Sequence, residues 1–262
     1  MQDLLAYVPY CGTPPAPHEI WSRWNLDPAL ILVLTLLFVW HGLRLHMWSA
    51  SRFHLSGTRR TAFYLGWLAT ALALVSPLCA LSVSLFAARV SQHMWLIAIA
   101  APLLALASTD SVSEPARRLT PFSAAGLFAA ALWAWHWPPL YASTFTSDLA
   151  YWAMHITLTG AALLLWRALL APAREHAFAR VIAGFVTLTH MGLLGALIAF
   201  ASRVLYVPHL LTTSAWNLTA LEDQQLGGLI MWIPASFVFL LVALMTAYSV
   251  VRESEPAGSA PL

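Results

Sequence analysis

Seven stretches of this chain are nearly uninterrupted runs of apolar side chains, most of them about 20 residues long. In hydrocarbon, each backbone N–H and C=O must find a partner within its own segment. A run of that length and composition therefore reads as a helix crossing a bilayer. The runs fall at about 28–47, 62–82, 85–107, 121–137, 149–171, 178–200 and 226–250, the fourth being the shortest. Loop punctuation separates them, among it Ser56-Gly57, Thr109-Asp110-Ser111, Pro138-Pro139, Pro172 and Pro208. The expected fold is all-α: a polytopic bundle of seven transmembrane helices over 28–250, with an outer tail over 1–27 and a cytoplasmic tail over 251–262. Composition agrees, since 60% of the residues are hydrophobic and 9% charged, against about 25% charged in a soluble domain.

The basic residues set the orientation. With the N-terminus outside, one set of helix ends holds Arg44, Arg52, Arg59, Arg60, Arg117, Arg118, Arg167, Arg174, Arg180 and Arg252, and the other only Arg23, Arg89 and Arg203. The positive-inside rule then places the N-terminus outside and the C-terminus inside. The first 27 residues lack the basic start and apolar core of a cleavable signal, so the first span is expected to direct its own insertion. A formal net charge of +2 with no lysine gives no basic surface for nucleic acid. Cys11 and Cys79 are far apart and outside any CxxC or zinc spacing, which excludes a disulfide framework and leaves a single bridge open.

Ten histidines among so few ionisable groups need explaining. His41, His46, His54 and His176 fall at inner helix ends or loops, where an imidazole reaches water or headgroups. His93, His155 and His190 fall within spans, in the outer half or at the midplane. A polar side chain at that depth is costly unless it faces the bundle interior and finds a partner. Each of the three has a methionine neighbour, in His93-Met94, Met154-His155 and His190-Met191. Imidazole and thioether together suit Cu(I), although adjacent helical residues point about 100° apart and do not easily share an ion. Methionine is equally an ordinary packing residue. His136 ends the fourth span, where it either caps a helix C-terminus or stands at the mouth of an outward-facing site. Glu222 and Asp223 open the seventh span, as caps, as partners of Arg89, or as groups that attract a cation. Gly227-Gly228 would admit a close helix or ligand. The candidate metal residues are thus His93, His155, His190, His136, Met94 and Asp223. Arg89 is expected to pair with Glu222 or Asp223 rather than face lipid.

Four blocks together resemble the membrane-embedded cytochrome c oxidase assembly factor family of the CtaG type. They are Gln92-His93-Met94 followed by Ala101-Pro102-Leu103-Leu104; Trp135-His136-Trp137-Pro138-Pro139-Leu140-Tyr141; His155 with Trp166 downstream; and Asp223-Gln224-Gln225-Leu226-Gly227-Gly228 with Met231-Trp232. The resemblance implies a seven-helix protein of the bacterial cytoplasmic (inner) membrane that is not an enzyme. It implies a role in delivering copper, as Cu(I), with subunit I of a haem-copper oxidase or its assembly intermediates as partner. The chain departs from the family's usual third span in carrying Arg89 where a first His stands, and a guanidinium cannot ligate a metal. The competing readings are a b-type haem redox protein, with His pairs as axial ligands, and a copper or proton-coupled transporter. For the transporter, the inner half offers only His41 and His46 as further polar steps.

Overall fold

Prolines decide where the apolar runs break into separate helices. The computed structural model describes residues 7–52, 57–108, 119–171 and 177–254. Helix α1 spans Pro28–Arg52, α2 Gly57–Val75, α3 Leu78–Ser84, α4 Phe86–Trp95 and α5 Ala101–Ala107. Helix α6 spans Pro121–His136, α7 Pro138–Ser143, α8 Asp148–Leu169, α9 Ala177–Ala199 and α10 Ala220–Ser254. No strand occurs among the described residues. His54, His176 and the tail beyond residue 254 lie outside them.

Five stretches among the described residues are long and apolar enough to cross a membrane: Pro28–Met47, Phe86–Ala107, Asp148–Leu169, Ala177–Ala199 and Ala220–Met245. Helices α2 and α3 make a sixth if the pair, bent by 44°, is one span. The chain is therefore an all-helical, multi-pass membrane protein with five or six such spans, where the sequence predicts seven. Where the bent pair is read as two helices the second predicted span is left out, and in either reading so is α6. Its 16 residues rise about 24 Å, short of the roughly 30 Å of hydrocarbon.

At each proline break a carbonyl is freed and a distant side chain takes one of those exposed. Pro77 has no N–H to offer Ala73, and the Ala73 carbonyl instead accepts from Gln92 Nε2 at 2.8 Å. Pro102 has none to offer Ala98, and Leu96–Ala100 form a wide π-helical turn in which Ile97 O accepts from Trp166 Nε1 at 2.7 Å. Pro138 and Pro139 end α6, and His136 O accepts from Tyr206 Oη at 3.0 Å. The bundle is thus tied together by polar side chains on backbone carbonyls at its breaks.

Helices α9 and α10 cross on glycine. A Cβ on Gly228 would stand 2.6 Å from Ala199 N, and one on Gly195 would stand 2.9 Å from Gly228 O. Gly227, next along, faces Phe86 of α4 just as closely. Gly227-Gly228 therefore lets two helices approach at once.

One end of the bundle carries a folded cap. The Cys11–Cys79 disulfide, with Cα atoms 5.4 Å apart, staples the N-terminal tail to α3. Asn25 N donates to Val75 O at 2.8 Å, and Tyr7 Oη donates to Asp148 Oδ1 at 2.8 Å. Tyr10 Oη also hydrogen-bonds Asp27, holding that carboxyl below the usual range, while burial and Asp27 together raise the phenol. The 200–219 segment closes over the same end, with Thr212 Oγ1 donating to Ser84 O at 2.6 Å.

Candidate metal centre

Helices α4, α6 and α8 each bring one histidine into the region beneath the cap, with the His93 ring facing each of the other two. His93, His136 and His155 are all buried. The His93 ring centre lies 5.3 Å from that of His155 and 6.4 Å from that of His136. In two of them the helix fixes the tautomer. His155 Nδ1 is 3.0 Å from Tyr151 O, and His136 Nδ1 is 2.8 Å from Leu132 O. A carbonyl only accepts, so each Nδ1 carries the proton and each Nε2 keeps a lone pair. Outer partners orient ligating imidazoles in this way in metal sites. His155 Nε2 and both ring nitrogens of His93 are buried without a hydrogen-bond partner among the described residues.

Such orphaned ring nitrogens are expensive in an apolar interior, and a metal ion is one group that satisfies the lone pair on His155 Nε2 and the one on His93, whose other nitrogen carries the proton. An imidazole bound at about 2.0 Å puts its ring centre about 3 Å from the ion, so two rings on one ion stand about 5–6 Å apart. The observed separations are close to that. Among the described residues no group of three or more His, Cys, Asp or Glu side chains is placed to hold a metal ion. Two or three imidazoles are a donor set that suits a soft or borderline ion.

The other predicted residues go elsewhere. His190 lies against Phe128, ring centres 5.9 Å apart, and does not join the three. Met94 packs in the main apolar core, as do Met154 and Met191. The acidic pair at the start of α10 divides its work. Glu222 forms a reciprocal cap with Thr219: Thr219 N donates to Glu222 Oε2 at 2.8 Å and Glu222 N donates to Thr219 Oγ1 at 3.2 Å. Asp223, fully buried, reaches across to α4 and accepts from Phe86 N at 2.6 Å and Ala87 N at 3.1 Å. Both its oxygens are engaged in anchoring the N-terminus of the helix that carries His93.

The expected Arg89–carboxylate pair does not form. Arg89 is buried, so it does face the interior, but Nε donates to Ser82 O at 3.3 Å and Nη1 has no partner. Its guanidinium lies 4.8 Å from the ring centre of Phe145 and 5.3 Å from that of Tyr151. Asp223 is drawn instead to two backbone donors at a helix N-terminus, which satisfy it without a cation.

Of four neighbours of the site, Tyr151 and His209 were not singled out by the sequence, and Gln92 and Gln224 entered only as members of the resembling blocks. Tyr151 packs against His155 with ring centres 4.3 Å apart and planes tilted by 35°. Gln92 holds α4 to the end of α2. Gln224 accepts from Leu205 N at 2.6 Å and donates to Arg203 O at 3.2 Å, tying down the 200–219 segment. His209 Nε2 is 2.7 Å from Tyr141 Oη, and burial first, then Arg89, hold its pKa down to about 3. The carbonyl four residues before Pro77 was the available signal for Gln92, because a missing N–H implies a carbonyl in need of a donor.

A cavity of about 590 Å³ reaches the site from the side, running between α1, α2 and α8. Tyr10, Asp27, Trp152 and His155 line its capped end, and His41, Trp67 and Arg167 its other end. The family model described as cytochrome c oxidase caa3 assembly factor (Caa3_CtaG) matches residues 36–253. No curated protein and no solved structure matches the chain.

Proposed function

The chain belongs to the cytochrome c oxidase caa3 assembly factor family, and from that premise we propose that it holds Cu(I) transiently at His93, His136 and His155 and passes it to subunit I of the oxidase within the membrane. The observation that carries this reading is the convergence of three buried imidazoles, with His155 Nε2 and both nitrogens of His93 unpartnered. Arg89 favours a monovalent ion. Its permanent charge opposes a divalent cation at the same distance twice as strongly as it opposes Cu(I). The protein's part is binding and hand-over, with no bond made or broken in a substrate, so the role is not enzymatic.

The capped end faces the outside in this reading, α6 crosses as the fourth of seven spans, and the membrane is the bacterial inner membrane. Two observations support the orientation: the ten-to-three distribution of arginines, and a disulfide at the capped end, which belongs in an oxidising compartment.

Replacing His93 or His155 by Ala tests the reading. Each variant is expected at normal abundance in the membrane, without the copper the purified wild type retains, and with low oxidase activity in the host. His54→Ala and His176→Ala, from the predicted inner loops, serve as controls that keep both. Full oxidase activity in both site variants at normal abundance refutes copper delivery. A Soret band in the purified protein assigns haem to the histidines instead.

A further inference from the structure

The disulfide stands beside the histidine site, and its surroundings are those of a pair of thiolates. Cys79 is fully buried on α3, and Cys11 is partly accessible in the tail. Disulfide sulfurs carry no proton, so the polar groups against them are donors. Tyr151 Oη lies 3.3 Å from Cys11 Sγ and 3.6 Å from Cys79 Sγ, and Asn25 Nδ2 lies 3.4 Å from Cys79 Sγ. A neutral disulfide gains little from two such donors, whereas hydrogen bonds to a charged acceptor are about twice as strong. The Tyr151 ring that presents its hydroxyl to the sulfurs also carries Arg89 over it at 5.3 Å and has His155 against it at 4.3 Å. Among the described residues no carboxylate stands within ion-pair distance of Arg89, which leaves a buried cation uncompensated over the ring whose hydroxyl reaches the sulfur pair.

We propose that Cys11 and Cys79, once reduced, form a two-thiolate Cu(I) site that receives the ion at the cap and passes it toward His155 and His93. The proposal deepens the copper-delivery reading and rests on it for the ion's destination. A dithiol protein of the thioredoxin kind supplies the two electrons: its thiolate attacks the partly accessible Cys11 sulfur, and Cys79 leaves. The donor's second thiol then resolves the mixed disulfide, so the donor ends as a disulfide and the chain as two thiols. Cu(I) then displaces both thiol protons and keeps its oxidation state. The resulting bis-thiolate unit carries one negative charge, which complements Arg89. Thiolates about 2.3 Å from a metal stand up to about twice that apart, so the pair must open. Cys11 is the side that moves, because it sits in an irregular turn closed by Gly12 N on Pro9 O, with Gly12 at φ +89°. Re-oxidation by a disulfide of the same protein class closes the bond and removes both ligands, driving the ion onward.

The experiment uses full-length protein in detergent, oxidised or reduced with a phosphine under anaerobic conditions. Cu(I) is titrated against a chromophoric chelator, and the bound ion is examined by X-ray absorption. Reduced wild type is expected to hold one more Cu(I) per chain than oxidised wild type, with sulfur scatterers. Cys11→Ser and Cys79→Ser lose that ion, His155→Ala keeps it, and Arg89→Gln weakens it by about tenfold or more. Equal copper in both redox states of wild type, or scattering from nitrogen and oxygen alone after reduction, overturns the proposal without recourse to any variant. Copper in the oxidised protein that depends on His93 belongs to the histidine reading. Its absence while the reduced protein binds Cu(I) through sulfur overturns that reading and leaves the thiolate site standing.

Discussion

Replacing Asp223 by Ala removes the acceptor for two buried N–H groups at the start of α4. The carboxylate takes Phe86 N at 2.6 Å and Ala87 N at 3.1 Å, and the residue is wholly inaccessible. A buried donor left without a partner costs about 1–3 kcal/mol. Two of them put the loss at about 2–6 kcal/mol, before any loss of the favourable charge at a helix N-terminus. Against a typical total of about 5–15 kcal/mol, that is a severe change for a residue on a different helix. Asp223→Asn keeps one acceptor and is expected to lose about half as much. Reversible unfolding in mixed micelles, followed by tryptophan fluorescence, measures the difference. Because His93 lies two turns below Phe86 on the same helix, the Ala variant is also expected to retain less copper. Glu222→Ala, in an exposed cap on the adjacent position, serves as comparator and loses far less. Stability of Asp223→Ala within about 0.5 kcal/mol of wild type, the range of ordinary surface substitutions, refutes the reasoning that this carboxylate anchors α4.

Cysteines introduced into the 138–148 and 205–220 segments are expected to react with an impermeant thiol reagent from outside, and those at 52–60 and 172–178 to be protected; the reverse pattern overturns the orientation. Gly228→Ala forces a Cβ to within 2.6 Å of Ala199 N and is expected to cost about 1–3 kcal/mol by overpacking. Wild-type stability for this variant excludes the close crossing. His209 is held neutral by burial, with its pKa near 3. The unfolded chain, titrating near 6.5, binds the proton more readily. The His209 contribution is therefore complete above about pH 6.5 and is lost as pH falls toward 3. Unfolding midpoints measured between pH 7 and 4.5 are expected to fall more steeply for wild type than for His209→Gln, and equal slopes count against it.

The sequence by itself determined the class of fold, because hydrocarbon leaves a 20-residue apolar run only the helix. It also singled out His93, His155 and His190 through the cost of polar groups at depth and His136 as the residue that ends the fourth span, and located most helix ends through Pro and Ser/Thr. It missed the break at Ser76-Pro77 inside the second run, because hydropathy is a sum over residues and one proline barely changes it. The seventh helix likewise begins at Ala220, six residues before its apolar run, because Thr219 and Glu222 cap it with polar side chains. Only the tertiary structure decided which polar groups meet. Glu222 and Asp223 are adjacent in sequence, yet one caps its own helix while the other anchors a helix 137 residues away. His190 satisfied the same depth criterion as His93 but lies against Phe128. Cys11 and Cys79, separated by 68 positions, are joined beside one tyrosine hydroxyl. Depth is a property of position along a helix and can be counted, whereas direction around the helix acquires meaning only when the neighbouring helices are in place.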